Sequence, residues 1–221
     1  MNLSSLIILG AGHFGQRALF KCSHEYPNCR ITIVDRNGTA LKNCTRFHSC
    51  ETVCDDGISY LNSLSQVTSN QSLWIIPSIP IHVAFEWVTS HLLRPVQRID
   101  IPDAILKQLP NPMAGGKGTV FMSYATFKCV DNCPEPVDHC YITGQPRLIS
   151  LFEKLQGLQS NDFLSIVLQS KQILPGIGGF QFSDLIATLS QVDVSEKPVL
   201  LSTACRCHGV MDAFSVRKLE K

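Results

Sequence analysis

Apolar runs and helical periodicities alternate along most of the chain. Leu6-Ile7-Ile8-Leu9 is a continuous apolar run, as expected of a strand buried on both faces. A helical pattern follows at once, with Phe14, Ala18 and Cys22 on its inner face. Arg30 to Val34 reads as a second strand. The Asn37-Gly38 turn leads to a short helix over Thr39 to Lys42, and Cys50 to Cys54 reads as a third strand, ended by Asp55-Asp56-Gly57. Ile58 to Leu64 is a short helix and Leu73 to Ile76 a fourth strand. After the Pro77 to Pro80 turn, His82 to His91 forms a helix with Val83, Trp87 and Val88 inward. From Arg94 to Gly118 the pattern breaks. Prolines at 95, 102, 110 and 112, then Gly115-Gly116, mark a connecting segment or a lid. Strands are then expected over Thr119 to Ser123, Phe163 to Leu168 and Pro198 to Thr203. Helices are expected over Arg147 to Leu155, Phe182 to Val192 and Val210 to Val216.

The first strand empties into Gly10-Ala11-Gly12-His13-Phe14-Gly15, a Gly-x-Gly-x-x-Gly pattern between strand and helix. In a dinucleotide fold, Gly10 permits the tight turn and Gly12 lets backbone approach a pyrophosphate. Gly15 lets helix and strand pack closely, and the helix N-terminus offers free N–H groups to the phosphate. Asp35 closes the second strand twenty residues beyond Gly15, where such folds place the acid that binds a ribose diol. These features predict an α/β fold: a Rossmann-like parallel sheet with helices on both faces, extended by a second α/β half carrying cysteine-rich loops. Residues 1–93 form the nucleotide-binding half, 94–118 the connection and 119–221 the second half. One extended sheet and two stacked halves both remain open. The expected dinucleotide is NAD rather than NADP, because Asp35 repels a 2′-phosphate, although Arg36 beside it could hold one. Asp56, at the end of the third strand, is placed to touch the adenine or simply to cap a helix. Pro77 falls where a nicotinamide would reach.

Charge and cysteine content narrow the chemistry. The net charge is +1, only 17% of residues are charged, and no basic stripe with interleaved aromatics occurs, which excludes nucleic acid as the expected partner. No apolar stretch approaches the roughly 20 residues of a membrane-spanning helix, and no basic region precedes the first apolar run. A cytoplasmic protein without membrane insertion is expected. Ten cysteines then point to metal or redox work more than to a disulfide framework. Cys129, Cys133 and Cys140 fall within twelve residues of a proline-rich loop. Their companions are Cys205, Cys207 and His208, directly after the last expected strand. Both loops follow strands, so in a parallel sheet they open on one rim and can share a centre: zinc, or an iron–sulfur cluster that Cys133-Pro134 echoes. A second group, Cys44, His48, Cys50 and Cys54, is a weaker alternative. The stretch Gln172 to Gly179 reads as a loop whose glycines face an anion or simply connect.

Ile8 to Gly15, Val34-Asp35 and Asp55-Asp56 resemble the NAD-binding N-terminal (RCK, or Trk-type) domain of bacterial potassium-uptake regulatory proteins, over roughly residues 1–90. The resemblance implies nucleotide binding and, less directly, potassium-transport regulation. The second half departs from that family. Two functions follow: an NAD-dependent oxidoreductase with a metal or iron–sulfur centre near the cofactor, or a non-catalytic NAD-sensing module with a structural zinc. Catalytic residues are unassigned, with His82 and His208 proton donors by position only. A small-molecule substrate, a protein partner and a homo-oligomer are all left open.

Overall fold

Strand β1 (Ser5–Leu9) is buried from Leu6 onward because it lies inside a sheet covered on both faces. The computed structural model describes residues 3–46, 49–64, 73–158 and 160–217. In the first sheet β3 (Glu51–Val53), β2 (Arg30–Val34), β1 and β4 (Leu73–Pro77) run parallel in that order. Helices α1 (His13–Glu25), α2 (Gly38–Thr45) and α3 (Gly57–Leu64) connect them. Beyond β4 the sheet departs from expectation. Strand β10 (Ile177–Gln181) pairs antiparallel with β4, and β9 (Lys171–Leu174) pairs antiparallel with β10. The sheet is mixed, not wholly parallel. The stretch read as an anion-facing loop is this hairpin. Its tip is Pro175-Gly176, with Gly176 at φ +75°, the pair that suits a turn needing positive φ at its second central residue. A Cβ on Gly179 would stand 2.5 Å from the Ile75 carbonyl oxygen, so glycine there serves strand contact.

The second sheet is also mixed. Strand β8 (Leu164–Gln169) lies parallel to β11 (Val199–Ala204), and β11 pairs antiparallel with β12 (His208–Val216). Strand β12 is flanked on its other side by β5 (Val96–Ile99) and β7 (Val120–Ser123), both antiparallel, with β6 (Met113–Ala114) outside β7. The expected last helix, Val210 to Val216, is therefore a strand. A short apolar run fits a buried strand or a buried helix equally well, and here Met211 to Phe214 are buried because β12 is central and covered on both faces. The Arg94 to Gly118 segment also corrects the expectation, supplying β5, α5 (Asp103–Leu106) and β6 to the fold.

Three apolar clusters define five layers. One cluster joins α1 and α2 to the outer face of the first sheet through Ala18, Leu19, Cys22, Leu41, Ile8 and Ile33. The largest fills the space between the sheets, where α4 (Val83–His91) and α7 (Phe182–Asp193) meet Ile75 and Leu9 on one side and Leu201 and Phe214 on the other. The third packs α6 (Leu151–Gln156) and α5 on the far face of the second sheet. Because β7 and β11 are both antiparallel to β12, they run the same way, and their C-terminal ends leave the sheet on one edge. That brings the two cysteine loops together.

Candidate functional site

The glycine loop has the strain and the space that its sequence predicts. Gly10 takes φ +100° while its N–H donates to the Val34 carbonyl at 2.7 Å, which folds the chain tightly over the end of β1. A Cβ on Gly15 would stand 1.8 Å from the Gly10 carbonyl oxygen, so α1 rests directly on the loop. Gly12 is different. Its φ of −73° suits any residue, and nothing lies within 4 Å of where its Cβ would be. No side chain caps α1, and its first turn holds no acid, so its leading N–H groups face this open space. If a dinucleotide's pyrophosphate enters this space, Gly12→Val should abolish NADH binding in a fluorescence titration while leaving the thermal unfolding midpoint within a few degrees. Unchanged affinity would make the loop structural only.

Asp35 ends β2 beside this space. Its Oδ2 accepts from Ala11 N–H at 2.6 Å and its Oδ1 from Asn37 N–H at 2.7 Å, which holds the carboxylate against the glycine loop. Asp56 performs the cap that its position also allowed. Its Oδ1 accepts from the N–H groups of Ile58 and Ser59 at 3.0 Å each, at the start of α3. Its Oδ2 pairs with Arg36 at 2.7 Å. The Ser59 N–H leads in holding the Asp56 carboxyl below the usual carboxylate range, with Arg36 assisting. A small cavity of about 410 Å³ opens beside the loop, lined by Phe14, Arg17, Pro77 and Ser78. His13, the first residue of α1, points its ring toward Asp131 at 3.9 Å.

A larger cleft of about 920 Å³ adjoins it and shares Phe14 and Arg17. Its other wall carries Cys129, Cys133, Cys140, Cys205, Cys207 and His208, so the structure does gather the residues of both cysteine loops. His208 lies between two thiols: Nε2 is 3.5 Å from Cys129 Sγ and Nδ1 is 4.0 Å from Cys205 Sγ. Cys205 Sγ accepts from the N–H groups of Cys207 and His208 at 3.4 Å each, an arrangement that favours a thiolate. Arg147 donates to Cys207 Sγ at 2.9 Å and holds the loop by its carbonyls at Pro136, Val137 and His139. Burial first, then Glu135, pushes the bare Cys205 thiol far above its ordinary range. Burial lifts Cys207 to about 11 against the pull of Arg147, and burial lifts Cys129 as well. Hydrogen bonds from Thr143 hold Cys140 below the usual thiol value, and burial pushes the His208 imidazole down. Desolvated thiols of this kind ionise when a cation supplies the missing charge. Among the described residues, no three side chains stand close enough to chelate an ion as they are placed. The donor types, five thiols and an imidazole, are those a soft metal takes, but their present spacing is not that of a closed site. His139 pairs with Asp138 at 2.7 Å on the surface, outside the thiol wall.

Of the weaker cysteine group, Cys44 of α2 is buried in an apolar cluster and Cys50 packs against the same cluster, Cys54 is exposed with its thiol toward the Arg36 carbonyl, and His48 lies outside the described residues.

One polar cluster is missed by the sequence reading. His82, at the N-terminus of α4, is 4% exposed and its Nδ1 lies 2.8 Å from Oδ2 of fully buried Asp212. His82 Nε2 meets Thr203 Oγ1 at 2.9 Å. Asp212 Oδ1 takes Arg98 at 2.9 Å and Thr119 Oγ1 at 2.8 Å. Strand β5 supplies Arg98, β11 Thr203 and β12 Asp212. Sequence gave one signal for the cluster, a lone carboxylate inside the apolar run of Val210 to Phe214, which demands a partner.

Residues 84–217 match the family described as "Uncharacterized protein, C-terminal domain". The chain belongs to this family. The matched region begins at α4 and holds every thiol of the cleft, whereas the glycine loop precedes it. An uncharacterized protein of Archaeoglobus fulgidus is 30% identical over 225 residues, covering 94% of this chain and 98% of the relative. No solved structure matches the chain. No helix among the described residues is long and apolar enough to cross a membrane.

Proposed function

We propose that this chain is an NAD-dependent oxidoreductase whose Cys-ligated metal ion or iron–sulfur cluster stands close to the cofactor. One observation carries the reading. A single cleft is lined at one end by Phe14 and Arg17 of the glycine-loop helix and at the other by five thiols and His208. The strand order β3-β2-β1-β4, with open space at Gly12 and an uncapped α1, supports a Rossmann-type nucleotide site. Gly10, Gly12 and Gly15 would shape the loop, Asp35 would accept from ribose hydroxyls, and the first-turn N–H groups would face the pyrophosphate. Cys129, Cys205, Cys207 and His208, with Cys133 and Cys140 beside them, would hold the metal. Bound NAD supplies a hydride acceptor or donor, and a thiolate-held iron–sulfur centre supplies one-electron transfer. The protein's own share is to orient the cofactor's reactive end toward the thiol wall. Metal and labile-sulfide analysis of anaerobically purified protein, with an NADH titration, tests the reading. Absence of both ligands would refute it.

The second reading is the non-catalytic NAD-sensing module, related to potassium-uptake regulators, with a structural zinc. It is favoured by His82, which is committed to Asp212 and Thr203 and does not line the cleft. Colourless zinc protein that binds NADH without turning it over would decide for this module.

Arg36 bears on cofactor choice. Its guanidinium is paired with Asp56 but largely exposed, so Asp56 competes only weakly with a 2′-phosphate and the discrimination falls to Asp35. NADH is expected to bind about tenfold or more tightly than NADPH, the factor that about 1.4 kcal/mol supplies. Equal or tighter NADPH binding in the same titration would overturn that choice.

A further inference from the structure

The loop carrying Cys129 and Cys133 is tied to the helix that follows the glycine loop. Arg17 of α1 donates to the Asp131 carbonyl and to Asn132 Oδ1, and it pairs with the Asp131 carboxylate at 3.1 Å. One turn further on, Lys21 donates to Asn132 Oδ1 at 2.6 Å and to the Pro175 carbonyl at 2.8 Å. The Cys133 carbonyl accepts from Gly176 N–H at 2.9 Å and from Gln172 Nε2 at 2.8 Å, so the β9–β10 hairpin closes the ring. The contact is tight: a Cβ on Gly176 would stand 1.7 Å from the Asp131 carbonyl oxygen. Cys129 and Cys133 bracket Asp131 and Asn132 in sequence. Whatever immobilises those two thiols also immobilises the grip on α1.

We infer that metal in the thiol cleft and dinucleotide at the glycine loop reinforce each other's binding through the Arg17 and Lys21 contacts. The inference rests on the proposed function, since it needs both ligands. Its sign follows from ordering. A metal-fixed loop keeps Asp131 on Arg17 and holds the cleft wall opposite Phe14 before the cofactor arrives. A loose loop leaves that ordering to be done during binding, at the expense of affinity. One effect opposes this, because a released Arg17 adds a cation near the phosphate. Asp131 is half exposed, so the charge it neutralises is already screened by solvent, and ordering outweighs it. Linkage makes the effect reciprocal: NADH must tighten the metal by the same factor that the metal tightens NADH.

The test compares NADH affinity by fluorescence titration for reduced protein loaded with zinc and for the same protein stripped with a chelator. The loaded form is expected to bind NADH about fivefold or more tightly. The double variant Lys21→Gln/Asn132→Ala, at two positions outside the cleft lining, should still take up zinc and NADH, but the ratio should fall toward one. Equal or weaker NADH binding by the loaded wild type overturns the inference and leaves both sites standing. A variant that keeps the full ratio overturns it as well. Failure of either ligand to bind at all overturns the proposed function along with it.

Discussion

Asp212→Ala is expected to lower the unfolding free energy by about 3–5 kcal/mol, the usual effect of removing one partner from a buried charged pair. Asp212 of β12 is fully buried on the face of the second sheet toward α4, and its carboxylate meets both His82 and Arg98. Its removal strands the guanidinium, whose remaining charged neighbour is Glu86 at 3.6 Å, and leaves the His82 and Thr119 donors unmatched. The cation also stacks 4.1 Å from the Phe85 ring centre, a contact too weak to replace a carboxylate. For a chain of this size the loss corresponds to a midpoint lower by about 6–20 °C. Urea unfolding of wild type and variant measures it, and a loss under about 1 kcal/mol would show that the cluster does not pin the layers together. Simultaneous apolar replacement of His82, Arg98 and Asp212 should be far milder than Asp212→Ala, because no uncompensated charge is left behind. A triple variant as unstable as the single one would mean that packing, not charge, explains the loss.

The first half of the fold was legible because its signals are local. Gly10, Gly12 and Gly15 sit between a buried run and a helical pattern, and the structure places them where strand, turn and helix require. The inward face of α4 follows the sequence, with Val83, Trp87 and Val88 buried, but on α1 only Ala18 and Cys22 do: Phe14, expected inward, is 63% exposed because it lies in the first turn, where it lines the cleft instead of the core. The second half misled where periodicity is silent. Val210 to Val216 is apolar on both faces whether it is helix or strand, and only pairing with β11 and β7 decides. Gln172 to Gly179 carries glycines for a hairpin tip and a close strand contact, which at sequence level look like those of a phosphate loop. The meeting of the two cysteine loops was expected from parallel strands. It holds for a related reason, since β7 and β11 point the same way through the intervening antiparallel β12. The partners of His82 come from two strands more than a hundred residues away, and no local pattern links them.

If the thiol cleft takes a metal as proposed, removing its ligands should lower the stability of the loaded protein by an amount comparable to the loss in Asp212→Ala. At a free metal concentration a thousandfold above Kd, binding contributes about 4 kcal/mol to folding, or about 8–16 °C in the midpoint of a chain this long. On that proposal, three residues are the expected main ligands. His208 stands between Cys129 and Cys205, and Cys205 already receives two backbone N–H groups that would steady a metal-bound thiolate. Cys129→Ser, Cys205→Ser and His208→Ala should each lose bound metal and unfold where chelated wild type unfolds. Cys207 has Arg147 at 2.9 Å as an alternative source of positive charge, so Cys207→Ser should weaken binding less than Cys205→Ser does. Because Cys129 precedes the clamp on α1 and Cys205 ends β11, the same loss should expose amides of both the 129–133 loop and the start of β12 to hydrogen exchange. Full metal content in both Cys129→Ser and Cys205→Ser would mean that the two loops meet in the cleft without sharing a centre.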